Sequence, residues 1–181
     1  MYTFISMLRG INVSGHNKIS MSRLKDLYES LNLVNVVTYV QSGNVIFDCT
    51  NQDAAQISRS IETEITHSLG FSVPVVIRNE SHFKHIIGYN PFSNQRNEEP
   101  AKLHVTFLSD SPSALALSNL AVPAGSADEF FVDGQEIYLF CPNGYGITKL
   151  SNSFFERKLS VTATTRNWKT VNALYDLANQ R

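Results

Sequence analysis

Arg9, Gly10 and Asn12 follow one apolar run of the chain, and Gln41, Ser42, Gly43 and Asn44 separate two others. Guanidinium, amide and hydroxyl groups at this density can orient a small polar ligand, and the glycines let it approach the backbone. Tyr145, Lys149, Arg166 and Asn167 form a second set towards the C-terminus. Its cations flank expected helix starts, where free N–H groups and the helix dipole favour a phosphate or carboxylate. The expected ligand is therefore small and anionic or nucleotide-like. These residue types name no reaction, so no catalytic residue is assigned and enzymatic activity is left open. A ligand-free account uses the same residues. In it Arg9 and Asn12 bond loop carbonyls, Gly43-Asn44 is a tight turn, and the second set caps helices.

Several better-defined chemistries are excluded. Gly10 to Gly15 is followed by His16-Asn17-Lys18, which is not the Lys-Ser/Thr of a P-loop, and no GxGxxG occurs. Ser42 lacks the glycine two places earlier that a nucleophile elbow requires. His82 and His85 share a helical face, but no Cys or carboxylate set completes a metal site. Neither a metal nor an organic cofactor is expected.

The elements that must position these groups follow from hydrophobic spacing. Residues 2–9 read as a strand, and Met21, Leu24, Leu27, Tyr28 and Leu31 as a helix capped by Ser20. Residues 36–40 and 45–47 are β-branched and aromatic, and the short turn between them makes a hairpin. Asp53 opens a helix carrying Ile57, Ile61, Ile65 and Leu69, which Gly70 closes. A fourth strand falls within 71–77, and Pro74 places it at a sheet edge. The order βαββαβ is that of a ferredoxin-like plait.

The second half repeats the pattern. A short helix near 81–87 and a polar loop over 88–100 precede a strand at 103–108 and a weakly helical stretch at 112–120. Residues 129–132 and 136–140 flank Asp133-Gly134, a strong hairpin signal. A glycine loop then leads to a helix over 152–159, where Ser153 to Glu156 has a capping-box pattern. A strand over 161–164 follows, then a final helix over 168–178 with Asn167 or Thr165 as its cap. The fold class is α+β: two tandem ferredoxin-like (βαββαβ) plaits, residues 1–88 and 89–181, with an extra C-terminal helix. In such a plait the first strand lies antiparallel to the third and beside it. Gly10–Asn12 and Gln41–Asn44 should then meet at one end of the first sheet. Strands two and three are apolar on both faces, so the open sheet face needs a cover. Either the other half of a monomer or a homodimer partner supplies it.

The chain has 181 residues, 43% hydrophobic and 17% charged, with a net charge of -1. That is enough apolar content for a core and too little charge for disorder. It also excludes a globally basic nucleic-acid binder. Charge is uneven, however. Residues 141–181 carry six Lys/Arg against Glu156 and Asp176, whereas 101–140 carry Lys102 against five acidic residues. The basic segment is the basis of an alternative, a nucleic-acid-binding module. Tyr2, Phe4 and Phe47 are suitably aromatic, but the basic-Gly-aromatic run of RNA-binding plaits is absent, so nucleic acid stays unsupported. A structural interaction protein with no ligand is the third reading. Cys49 and Cys141 belong to no CxxC pair and suit a reduced, cytoplasmic setting. The N-terminal apolar run is too short for a membrane span and lacks the basic region of a signal peptide, so no membrane association is expected.

Several separated motifs carry a resemblance. Leu8-Arg9-Gly10-Ile11-Asn12-Val13 and Tyr39-Val40-Gln41-Ser42-Gly43-Asn44-Val45-Ile46-Phe47 are similar to those of the bacterial family called domain of unknown function 1697. Asn90-Pro91-Phe92, Lys102-Leu103-His104-Val105, Lys149-Leu150 and Thr164-Thr165-Arg166-Asn167-Trp168-Lys169-Thr170-Val171 resemble its later motifs. The resemblance spans essentially the whole chain and implies plait-like halves. It implies no activity.

Overall fold

The computed structural model describes residues 1–181 and divides into two units, Met1–Lys84 with Leu174–Arg181, and His85–Ala173. The first unit holds β1 (Tyr2–Leu8), α1 (Met21–Ser30), β2 (Val34–Tyr39), β3 (Asn44–Cys49), α2 (Ala54–Leu69) and β4 (Val75–Asn79). Its sheet is wholly antiparallel in the order β2-β3-β1-β4. β4 lies at the sheet edge, as expected, but begins after Pro74, which stands just outside the strand. Both helices start on side-chain caps. Ser20 accepts from the Arg23 N–H and Asp53 from the Gln56 N–H, and Gly70 closes α2 at φ +76°.

Phe4 and Leu8 of β1 and Phe47 of β3 meet Leu24, Leu27, Ile57, Ile61 and Ile65 of the helices in one core. Ser6 shares that face, and its Oγ lies 2.8 Å from the Tyr28 hydroxyl. Burial of Tyr28 pushes its pKa far up and its bond to Ser6 draws it down; the pair stays neutral and satisfied. On the opposite face Ile5, Met7 and Ile46 are also fully buried. Period-two alternation therefore leaves no solvated face on the central strands.

After α3 (Glu80–Tyr89), the second unit holds α4 (Pro91–Asn94), β5 (Leu103–Leu108), α5 (Ala114–Ser118), β6 (Glu129–Asp133) and β7 (Glu136–Phe140). It continues with α6 (Asn152–Leu159), β8 (Ala163–Asn167) and the first half of α7 (Trp168–Asn179), which passes into the first unit at Leu174. The second sheet has the order β6-β7-β5-β8, again antiparallel throughout. Leu108, Ile137, Leu139, Phe154, Phe155 and Leu159 form its core. The protein is thus α+β, with two four-stranded antiparallel sheets and seven α-helices. No helix is long and apolar enough to cross a membrane.

Several elements differ from the sequence reading. The loop over 88–100 contains α4, because Asn90 caps the Phe92 and Ser93 N–H groups and Pro91 suits a first helical position. Ser151, not Ser153, caps α6, and Glu156 instead accepts the Ala163 N–H at 3.1 Å. The last strand also lies later than 161–164: β8 begins at Ala163 and extends to Asn167, while the Thr162 carbonyl accepts from the Ser109 N–H at 2.9 Å just before it.

Candidate functional site

Residues 10–19 leave β1 through a chain of left-handed conformations. Gly10 and Gly15 lie at φ +75° and +80°, and Asn12, Ser14 and Asn17 at +53°, +50° and +47°. Asparagine tolerates this region best among non-glycine residues, which is why the loop is rich in it. Asn12 holds the loop closed. Its Oδ1 accepts from the Ile19 N–H at 2.9 Å, and its Nδ2 donates to the Ile19 carbonyl at 2.9 Å. The same Nδ2 donates to the Gln41 carbonyl at 2.8 Å.

The two N-terminal motifs are therefore brought together. Leu8 N–H donates to the Gly43 carbonyl and Arg9 N–H to the Pro74 carbonyl, both at 2.9 Å. Asn44, buried at the start of β3, donates to the Tyr39 carbonyl and to the Ser42 hydroxyl. Val40 turns the hairpin at φ +51°, a costly conformation for a β-branched residue. Asn12 and Asn44 thus spend amide groups on the backbone, while Gln41 presents an exposed side chain.

An open recess of ≈ 490 Å³ lies against this junction, lined by Asn12, Gly15, Lys18, Ile19, Ser20 and Gln41. Lys18 is its one ionisable group, and no carboxylate lines it. The Lys18 chain passes over Gly15, whose substituted Cβ would stand 3.9 Å from Lys18 Cε. Ser20 brings the first turn of α1 to the wall, with N–H groups that favour an anion. Lys18 and Ser20 did not stand out in the sequence as site residues. The only cue was their position in the loop between two motifs.

The C-terminal set is divided by the alternation of β8. Arg166 and Asn167 are consecutive in a strand and take opposite faces. Arg166 is buried, and its Nη1 donates to Thr164 Oγ1 at 2.8 Å and to the Thr165 carbonyl at 2.9 Å. Asn167 is exposed and caps α7, accepting from the Thr170 N–H at 2.8 Å. Lys149 is exposed and donates to the Ala124 carbonyl at 3.2 Å. Tyr145 stacks on His104 with centroids 4.5 Å apart, so a residue of β5 joins this end of the sheet.

No group of three His, Cys, Asp or Glu side chains is arranged to hold a metal. His85 pairs with Asp133 at 2.8 Å and stacks on Tyr89, and nothing else converges on it to form a site.

The family model described as "Protein of unknown function (DUF1697)" matches residues 1–138. A solved structure of the conserved bacterial protein SP0830 from Streptococcus pneumoniae is similar over 99% of each chain, at 21% identity and a TM-score of 0.78. That likeness extends to the fold. No curated protein matches the chain.

Proposed function

The chain belongs to the DUF1697 family, and from that premise we propose that it is a cytoplasmic binding protein for a small anionic or nucleotide-like ligand. The observation that carries the reading is the Asn12–Gln41 junction beside a recess whose only charge is Lys18. Asn12 fixes the loop, Gln41 offers a neutral amide, and Lys18 with the α1 N-terminus supplies positive potential. Arg9, Ser42 and Asn44 support the junction. Strain at Val40 and along the loop agrees with a site in which geometry takes precedence over local stability.

We read each half as a ferredoxin-like plait, over 1–88 and 89–181, with α7 as the added helix. Supporting this is the strand order, in which each sheet runs second, third, first, fourth. The plait supplies a rigid sheet end on which loops of this kind can be carried.

Calorimetric titration of the full chain with inorganic phosphate and with a nucleoside monophosphate tests the reading. Saturable binding, weakened on the order of tenfold in Lys18→Ala, is expected from loss of one partly desolvated charge. Lys18 is exposed, so the melting temperature should barely change. Absence of binding at millimolar ligand, or equal binding by Lys18→Ala, overturns the reading. Steeply salt-dependent binding of an oligonucleotide in place of both ligands would favour a nucleic-acid module.

A further inference from the structure

β5 and β8 pair so that His104 stands directly opposite Asn167, and opposed residues of an antiparallel pair share one face of the sheet. Asn167 is the cap of the twelve-residue helix α7. The first-turn N–H groups of that helix therefore open beside His104. Further along the same face, Thr106 Oγ1 lies 2.7 Å from Thr165 Oγ1, which in turn lies 2.7 Å from Asn152 Oδ1 at the start of α6. This end of the second sheet is polar beneath its helices.

His104 is 8% exposed, and its Nδ1 is buried without a hydrogen-bond partner. An unpaired buried nitrogen works against folding, and native structures hold few of them. Above it lies the Tyr145 ring, 4.5 Å away and tilted by 22°. Tyr145 is carried on a short turn between Gly144, at φ +94°, and Gly146. Desolvation by burial holds the His104 imidazole below its usual range, although the Lys102 carbonyl draws it up, so the ring is neutral at pH 7.

We infer that His104 and the N-terminus of α7 form a phosphate site beside the Tyr145 ring. A neutral imidazole nitrogen is either a donor or an acceptor. Hydrogen phosphate carries both P–O⁻ acceptors and a P–OH donor, so it satisfies Nδ1 in either tautomer. Its remaining oxygens meet the α7 N–H groups, as anions do at helix N-termini. Lys169, exposed in the first turn of α7, adds positive charge to that helix end. The site shares no residue with the recess beside Asn12, so the two can be tested separately.

The experiment titrates inorganic phosphate into the full chain and follows the His104 ring nitrogens by NMR, assigned from the signals lost in His104→Gln. Asn167→Asp is the decisive variant. Aspartate caps a helix as well as asparagine, so the fold is kept, but its carboxylate opposes the anion. In the wild type the His104 signals should shift saturably. Asn167→Asp should weaken that response on the order of tenfold, and Lys169→Ala by a smaller factor in the same direction. Lys18→Ala should leave it unchanged. His104 signals that stay fixed at millimolar phosphate, or shift equally in Asn167→Asp, overturn the site. A response abolished by Lys18→Ala overturns it too, because phosphate would then act through the other recess.

Discussion

Gly43 presses its α-carbon against Ile11: a Cβ there would fall 2.5 Å from Ile11 Cδ1 and 2.8 Å from Leu8 Cβ. This contact lets the hairpin turn close over the end of β1. Gly43 also lies at φ +72°, so any side chain meets both strain and overlap. Gly43→Ala should therefore destabilise the protein by about 2–4 kcal/mol, adding the left-handed penalty to overpacking. Urea unfolding of the variant checks this. A loss below about 1 kcal/mol would mean that the turn repacks freely.

Asn12→Asp isolates the junction itself. The carboxylate still accepts from the Ile19 N–H, but loses both Nδ2 donations and faces the Ile19 and Gln41 carbonyls. Two lost hydrogen bonds, with acceptors now opposed, should cost about 2–3 kcal/mol. Asn12→Ala loses all three bonds and should melt no higher. Thermal unfolding of both variants, with near-wild-type melting for Asn12→Asp as the contrary result, decides it.

Asp48 sets a pH dependence. Burial on its own would raise its pKa, but bonds from Asn35 and Thr3 and the Arg181 guanidinium hold it below the usual carboxylate range. Asn35 Nδ2 donates to Oδ2 at 2.7 Å, Thr3 donates to Oδ1 at 2.8 Å, and Arg181 lies 3.5 Å away. A pKa depressed in the folded state means that unfolding takes up protons. The stabilisation is complete above the unfolded value, near about 3.9, and is lost as pH falls through the folded value. Asp48→Asn should flatten that part of the acid limb and cost about 1.5–3 kcal/mol at pH 7. Acid titrations of wild type and variant that superimpose would contradict this.

The two cysteines should differ in reactivity. Cys141 is fully buried, and desolvation pushes its thiol up to about 11 against a bond from Thr148. Cys49 is partly exposed and accepts only a weak contact from the Asn51 N–H at 3.4 Å. A thiol-specific colorimetric reagent at pH 8 should modify one thiol per native chain, and two after denaturation. Cys49→Ser should abolish the native reaction. Two fast thiols in the native protein would show that the second core opens readily.

The sequence by itself determined the order of strands and helices, α4 apart, and most of their ends. These are set by local physics. Ser20, Asp53 and Asn167 cap their own helices, Gly70 ends α2, and Asp133-Gly134 turns a hairpin, through contacts a few residues long. The meeting of Asn12 with Gln41 was legible as well, because the strand order that brings them together follows from the pattern of elements. Where two local signals competed, tertiary contacts decided. Glu156 accepts the Ala163 N–H instead of closing a capping box on Ser153, and Ser151 caps α6. The pairing of β8 with β5 then puts Arg166 and Asn167 on opposite faces, because side-chain direction in a strand alternates with every residue. The recess at Lys18 and the pairing of His104 with Tyr145 depend on how distant segments pack, and no local preference encodes them. Secondary structure reads out neighbours in the chain, whereas a binding site reads out neighbours in space.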